Sequence, residues 1–246
     1  METERKTAAV ILAGGSGARM GSTTPKQFMP IAGKPLIWYA INAFSESFVD
    51  RIVVVCRQGE EESFRREIVD RYGFDKVISV AGGGSARYES VCMGLRAVPE
   101  DTEFVFIHDG ARPFVTQDII ERALIGAEGY GACAVGIPCS YTVRLTDSNG
   151  ISVDTPDRDN LWLMQTPQVF RFPAILRAYE EVLARLDTLT AEGIKLTDDV
   201  QVWELMTPAS GEHAPSVKII PGSRSNFKVT TKEDLLLARS MIHSKG

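Results

Sequence analysis

Short, nearly continuous apolar runs alternate along this chain with segments whose apolar residues recur every three or four positions. "AAVILA" (8–13), "RIVVVC" (51–56), "FVFIHD" (104–109) and "CAVGIP" (133–138) are of strand length and rich in β-branched or aromatic residues. Runs apolar on both pleat faces suit strands buried on both sides of a parallel sheet. Between them, Tyr88, Val91, Leu95 and Val98 share one face of a helix predicted over 86–98. A second helix is predicted over 117–128 behind Thr116 as N-cap, and a third over 173–186 with Pro173 in its first turn. The closing "TKEDLLLARSMI" places Thr231 and Asp234 in capping-box spacing. Such alternation predicts an α/β chain with a Rossmann-like, doubly wound, mostly parallel sheet, forming one domain over 1–246. Ligands then belong at the carboxyl ends of the strands, where Gly14, Asp109 and Pro138 fall.

One stretch breaks the alternation. Residues 141–162 carry two short alternating runs around "DSNG", and Asn149-Gly150 is a hairpin turn signal. An inserted β-hairpin at about 139–162 is expected, either a mere excursion from the sheet or an arm that lids a pocket or meets a second subunit.

Composition narrows the partners. A 246-residue chain that is 44% hydrophobic has enough apolar material for one α/β domain with an appendage. Its net charge of −5 argues against nucleic acid or an acidic membrane surface as partner. The four cysteines show no Cys-x-x-Cys spacing, so reduced, partly buried thiols are expected. Three histidines in no ligand-like spacing argue against a zinc site. No apolar signal core opens the chain, and no stretch nears the roughly 20 apolar residues of a membrane span. A cytoplasmic location is expected.

The chemistry concentrates in "VILAGGSGARMGSTTPKQF" (10–28), a strand running into a glycine-rich turn. The dinucleotide fingerprint G-x-G-x-x-G fails, because Met20 stands where the third glycine belongs. The G-x-x-x-x-G-K-[ST] loop fails too, with Arg19 or Met20 in the sixth place. What remains is either a structural glycine turn with solvated Arg19 and Lys26, or a backbone anion nest at Ala13, Gly14, Gly15 and Gly17 with Arg19 and Lys26 as attendant cations. Two fixed cations beside a phosphate nest suit a reaction at phosphorus, where they stabilise charge on the α-phosphate and the departing pyrophosphate.

"LAGGSGARM" with "PKQF" resembles the signature of the cytidylyltransferases of the non-mevalonate isoprenoid pathway, most closely those acting on 2-C-methyl-D-erythritol 4-phosphate. Further matching pieces follow in order to Asp234: "GGSARYESV", "HDGARPF", "TPDRDNLW", "QTPQVF", "LTDD" and "NFKVTTKEDL". The resemblance implies CTP and a polyol phosphate as substrates, Mg²⁺ as cofactor, and a homodimer whose arms cross between active sites. It assigns Gly83, Gly84, Arg87 and Ser90 to the nucleotide, although the Ser90 hydroxyl also suits a helix cap. It gives Asp109 to the metal or the acceptor, against a plain salt bridge to Arg112, and Arg112 to the acceptor phosphate. Thr142 and Arg158 of the arm, with Thr166, Thr197 and Lys228, fall on acceptor-side positions; Lys228 joins Arg19 and Lys26 among the catalytic cations. The arm departs from the usual pattern, since Tyr141 stands where the family carries Asp and Arg144 where it often has Lys. Ribitol 5-phosphate cytidylyltransferase shares the glycine loop, "QTPQ" and "KVT", and stays open as the alternative, as does a non-catalytic nucleotide-binding module. His108 reads as a hydrogen-bonded structural histidine.

Overall fold

A computed structural model describes residues 5–15, 25–206 and 216–243. The chain runs β1 (Thr7–Leu12), a small ribbon of β2 (Pro30–Ile31) and β3 (Lys34–Pro35), α1 (Leu36–Ser45) and β4 (Arg51–Cys56). There follow α2 (Glu61–Phe64), continued by a π-helical stretch over Arg65–Asp70, β5 (Val77–Gly82), α3 (Arg87–Arg96), β6 (Phe104–Asp109), α4 (Gln117–Tyr130) and β7 (Ala132–Pro138). The arm carries β8 (Leu145–Thr146) and β9 (Ser152–Asp154). The remainder is β10 (Trp162–Arg171), α5 (Ala174–Ala184), α6 (Leu186–Ala191), α7 (Asp199–Glu204), β11 (Lys218–Pro221) and α8 (Lys232–His243).

Seven strands form one sheet in the order β11-β7-β10-β6-β1-β4-β5. β1, β4, β5 and β6 pair in parallel, as do β7 and β11. The alternation along each strand sorts its side chains between two cores. Ala9, Ile11, Val54 and Phe106 face one cluster, shared with Ile37 and Ile41 of α1 and Ile120 of α4. Ala8, Val10, Val53 and Val55 face the other, shared with Val91 and Leu95 of α3 and Ile175 of α5. α3 comes unusually near the sheet: a Cβ on Gly94 would lie 2.5 Å from Val10 Cγ1 and 2.7 Å from Val55 Cγ2. Any larger residue there must lift the helix off β1 and β4.

The predicted helix starts correspond to observed caps. Thr116 Oγ1 accepts from the Ile119 amide at 3.4 Å. Asp234 accepts from the Thr231 amide at 2.9 Å, while its own amide donates to Thr231 Oγ1 at 3.2 Å. That is the capping box, with aspartate in place of the usual glutamate. Pro173 stands one residue before α5. In the arm, Asp147 Oδ1 accepts from the amides of Asn149 and Ile151, both at 2.9 Å, and Gly150 takes a φ of +80°.

Four strands of the sheet, β1, β4, β6 and β7, coincide with the predicted runs, while β5, β10 and β11 have no predicted counterpart. β10 lies between β6 and β7, antiparallel to both, and contains the "QTPQVF" segment. Its register shifts between Met164 and Gln168, where Pro167 supplies no ladder donor. Gln165, Thr166 and Gln168 are buried in it although polar, because each makes side-chain hydrogen bonds to neighbouring loops. All four cysteines are free and buried, and burial pushes the thiols of Cys56 and Cys133 up to about 12. No helix among the described residues is long and apolar enough to cross a membrane.

Candidate active site

A cavity of about 570 Å³ opens at the carboxyl ends of β1, β4, β5 and β6. The chain reverses its direction across the sheet between β1 and β6, so this is the topological switch point of a doubly wound fold. Each loop entering the cavity is pinned by the end of the neighbouring strand. Ala13 donates to the Val55 carbonyl at 2.7 Å, Gly83 to Cys56 at 2.8 Å, and Gly110 to Leu12 at 2.9 Å.

Ala13, Gly14 and Gly15 form the wall after β1. Lys26 crosses them from the 3₁₀ turn Lys26–Phe28: a Cβ on Gly15 would stand 3.2 Å from Lys26 Cε. The Lys26 ammonium donates to the Val229 carbonyl at 3.4 Å. Gly17 and Arg19 lie outside the described residues.

Gly83, Gly84, Arg87 and Ser90 form the opposite wall. The loop needs its glycines, since a Cβ on Gly83 would come within 2.8 Å of Ser90 Oγ and one on Gly84 within 2.5 Å of Glu89 Cβ. Ser90 sits in the fourth position of α3 and does not cap it. Its hydroxyl accepts from the Gly84 amide at 3.1 Å and donates to the Ala86 carbonyl at 3.0 Å, bracing the loop. Glu89 accepts from the Ser85 hydroxyl and amide, both at 2.7 Å, and from the Ala86 amide at 3.1 Å. These bonds hold its carboxyl below the ordinary range, the Ser85 hydroxyl contributing most.

Asp109, the last residue of β6, is the only carboxylate among the described residues that line the cavity. It meets Lys228 Nζ at 2.7 Å, Arg87 Nε at 3.3 Å and Arg112 Nε at 3.9 Å. Burial alone would raise its carboxyl; the charges of Arg87 and Lys228 outweigh that and hold it well below the usual carboxylate range. Lys228 reaches this point because the 226–230 segment is tied to the loop after β6. Val229 donates to the Ala111 carbonyl at 2.8 Å, and Arg112 Nη1 to the Asn226 carbonyl at 2.8 Å.

Behind Asp109 the protons are fully ordered. The Asp109 amide donates to Thr166 Oγ1 at 3.0 Å, and that oxygen lies 3.1 Å from His108 Nδ1. The other His108 nitrogen lies 3.2 Å from the Arg112 carbonyl, which only accepts. His108 is fully buried, and burial lowers its pKa to about 4, so the ring is neutral with its proton on Nε2. Nδ1 therefore accepts the Thr166 hydroxyl proton. Thr166 thus orients the Asp109 backbone and keeps no proton to donate to a ligand.

The other residues that the resemblance gives to the acceptor do not line the cavity. Arg112 is turned to the carbonyls of Asn226 and Met164. Thr197 donates through its amide and hydroxyl to Gln201 Oε1, at 2.9 and 3.3 Å. Thr142 and Arg158 lie on the arm, where Arg158 is exposed and approaches Asp159 at 3.9 Å. Arg87 engages two carboxylates and, among the described residues, no loop carbonyl: besides Asp109, it holds Asp199 through both terminal nitrogens at 2.7 Å.

Two groups escaped the sequence reading. Cys56, Arg57 and Gln58 line the cavity after β4; the rule that ligands gather at strand ends would have found them had it been applied to 51–56. Asp199 stands in the sequence reading only as the end of "LTDD", and its ion pair carried no local signal, since its partner Arg87 lies 112 residues away.

Among the described residues, no group of three or more His, Cys, Asp or Glu is arranged to hold a metal. The described cavity wall offers a divalent cation one carboxylate, Asp109, which suits a Mg²⁺ that keeps its waters and substrate phosphates as its other ligands.

Known proteins share this chain's sequence and fold. The family model "IspD: 2-C-methyl-D-erythritol 4-phosphate cytidylyltransferase" matches residues 7–244. A 2-C-methyl-D-erythritol 4-phosphate cytidylyltransferase of Alkaliphilus oremlandii is 38% identical over 246 residues, 100% of this chain and 98% of that protein. One of Clostridium botulinum (strain Loch Maree) is 40% identical over 238 residues, 96% of this chain and 97% of that protein. Among solved structures, 4-diphosphocytidyl-2C-methyl-D-erythritol synthase from Anaerococcus prevotii superposes with a TM-score of 0.80 at 28% identity, covering 98% of this chain and 100% of that one.

Proposed function

Because the chain belongs to the 2-C-methyl-D-erythritol 4-phosphate cytidylyltransferase family, we propose that its cavity binds CTP and transfers the cytidylyl group to the phosphate of 2-C-methyl-D-erythritol 4-phosphate. The observation that carries this reading is the convergence of the Ala13–Gly15 backbone, Lys26 and Lys228 on one cavity at the switch point. That is an anion-binding wall with flexible cations on its rim, suited to a triphosphate.

The reaction is an in-line displacement at the α-phosphorus. An anionic oxygen of the acceptor phosphate forms the new P–O bond as the bond to the bridging oxygen of the β-phosphate breaks, and pyrophosphate leaves with that oxygen. The nucleophile is already deprotonated, so no general base is required, and neutral, buried His108 is left to its structural work. Arg19 and Lys26 bear on the charge that builds at the α-phosphate and the leaving group. Lys228, more than a third exposed, leans on Asp109 and is able to turn toward phosphate. The 83–90 loop, braced by Ser90, offers its backbone to the base and ribose. Asp109 would contribute the protein's ligand to Mg²⁺, which when bound neutralises phosphate charge and aligns the triphosphate.

The acceptor side is completed across a homodimer. The arm shows apolar side chains to solvent, with Tyr141, Ile151 and Val153 each over 60% exposed. A second copy of the chain would cover such a surface, and Thr142 and Arg158 would then reach the partner's cavity. Arg158→Ala is expected to raise KM for the acceptor about tenfold or more. Mixing that variant with Lys26→Ala subunits should restore activity, because one of the two sites in a mixed dimer keeps both residues. Absence of restoration would confine the arm to its own subunit.

The reading as a whole is tested by pyrophosphate release from CTP and Mg²⁺ with each acceptor in turn. Release is expected with methylerythritol phosphate and little with ribitol 5-phosphate. Faster release with ribitol 5-phosphate would move the chain to the alternative, and CTP binding without release would leave a non-catalytic module.

A further inference from the structure

Cytidylyl transfer leaves one strong buried ion pair unused. Asp199, the first residue of α7, is wholly buried and grips both terminal nitrogens of Arg87 at 2.7 Å. Its surroundings fix it in place. The Tyr179 hydroxyl on α5 donates to Oδ1. Gln168 Oε1 on β10 accepts from the amides of Asp199 and Val200 at 3.1 and 3.0 Å, while Gln168 Nε2 donates to Asp198 at 3.1 Å. α7 is thus nailed to the sheet at the point where its carboxylate meets the cavity wall.

Arg87 is the group so held, and it stands between two carboxylates. Its fork faces Asp199, and its Nε reaches Asp109 at 3.3 Å. Asp109 also binds Lys228 at 2.7 Å and meets Arg112 at 3.9 Å, so three cations share this cavity carboxylate. We propose that Asp199 is a positioning residue for CTP binding. By occupying the Arg87 fork, it keeps that guanidinium against the wall of the 83–90 loop and leaves Asp109 and Lys228 able to turn to the triphosphate and its cation. Without Asp199, Arg87 is drawn fully onto Asp109, since a bidentate guanidinium–carboxylate pair is the strongest arrangement left to it. Arg87 then vacates the wall of the nucleotide pocket and ties up the cavity carboxylate. The inference rests on the assignment of this cavity to CTP, so the test measures CTP binding directly.

Titration calorimetry of CTP with Mg²⁺, without acceptor, is run on the full chain and on Asp199→Asn, Arg87→Lys and the double variant. Asp199→Asn preserves the shape of the side chain and removes its charge. It is expected to weaken CTP binding about 10- to 100-fold, the range found when a group that orients a binding residue is lost, and to raise KM for CTP far more than KM for the acceptor. Arg87→Lys loses the fork, and the double variant should be no weaker than the weaker single by more than about twofold, because both changes break one interaction. A merely structural role predicts a lowered Tm with CTP affinity kept within about twofold, or losses that multiply in the double variant; either overturns the proposal. If Asp199→Asn does not fold, Asp199→Glu decides. It keeps the charge but displaces the fork, so unchanged CTP affinity there overturns the proposal as well. Failure of the unsubstituted chain to bind CTP would instead overturn the assignment of the cavity, and this inference with it.

Discussion

Lys26→Ala is expected to lower kcat by about 10²- to 10³-fold, the effect of removing one preorganised donor from a site of developing negative charge. Its KM for CTP should move by less than about fivefold. The split follows from position. The ammonium lies beside the glycine wall, on the cavity rim, and makes a 3.4 Å contact to the Val229 carbonyl. On the proposed binding mode, the backbone of Ala13–Gly15 and the 83–90 segment would carry much of the nucleotide's ground-state binding, so loss of one lysine is tolerated. As the α-phosphorus bond breaks, charge accumulates on the leaving pyrophosphate, and a cation that can follow it contributes to the barrier more than to affinity. Single-turnover kinetics at saturating CTP reads the effect directly. A loss confined to KM would make Lys26 a docking residue only.

Asp109→Asn is expected to act on both catalysis and stability. Asparagine keeps the shape but strips Lys228, Arg87 and Arg112 of their common counter-ion. We expect kcat/KM to fall about 10²- to 10³-fold, since Lys228 loses its anchor and the described cavity wall its carboxylate. Folding stability at pH 7 should fall by about 2–3 kcal/mol, less than a fully buried pair would lose, because Lys228 stays more than a third exposed. The pH dependence has a definite sign. The native carboxyl titrates well below its ordinary value of 3.8, so the native state binds fewer protons than the unfolded chain as pH falls through that range. The contribution of Asp109 is whole above about pH 4 and drains away below it. Chemical denaturation should therefore show a gap between Asp109→Asn and the natural chain at pH 7 that narrows under acid. A gap independent of pH would mean that the loss comes from packing and not from charge.

Much of the site is legible in the residues alone, for a local reason. Glycines close behind a strand, with lysine and arginine a few residues beyond them, point to the proposed phosphate site because they fall within one short stretch of the chain. The aspartate closing β6 is equally plain, since a charged residue at the end of an apolar run marks the edge of the sheet. What stays hidden is set by contacts between distant segments. Thr166 reads as a hydroxyl with a proton to donate, yet His108, on the neighbouring strand, takes that proton. Arg87 is given to the nucleotide by resemblance, yet it is gripped by a carboxylate on α7. β10 escapes notice because its hydrogen-bonding glutamines and Pro167 break the apolar pattern, while the residues that satisfy them come from the 108–112, 198–200 and 223–226 segments.

Strands β1, β4, β6 and β7, the helix caps and the arm's turn were written into short stretches of the chain, because each depends on side chains within a few residues of one another. The antiparallel strand through the middle of the sheet was not, and it took the folded chain to reveal it. The same holds for the meeting of Lys228 with Asp109, and for the grip of Asp199, rather than the nucleotide loop, on the fork of Arg87. Those choices are made by charge and hydrogen bonding in a buried setting, where each polar group must find its partner from whatever the fold brings near.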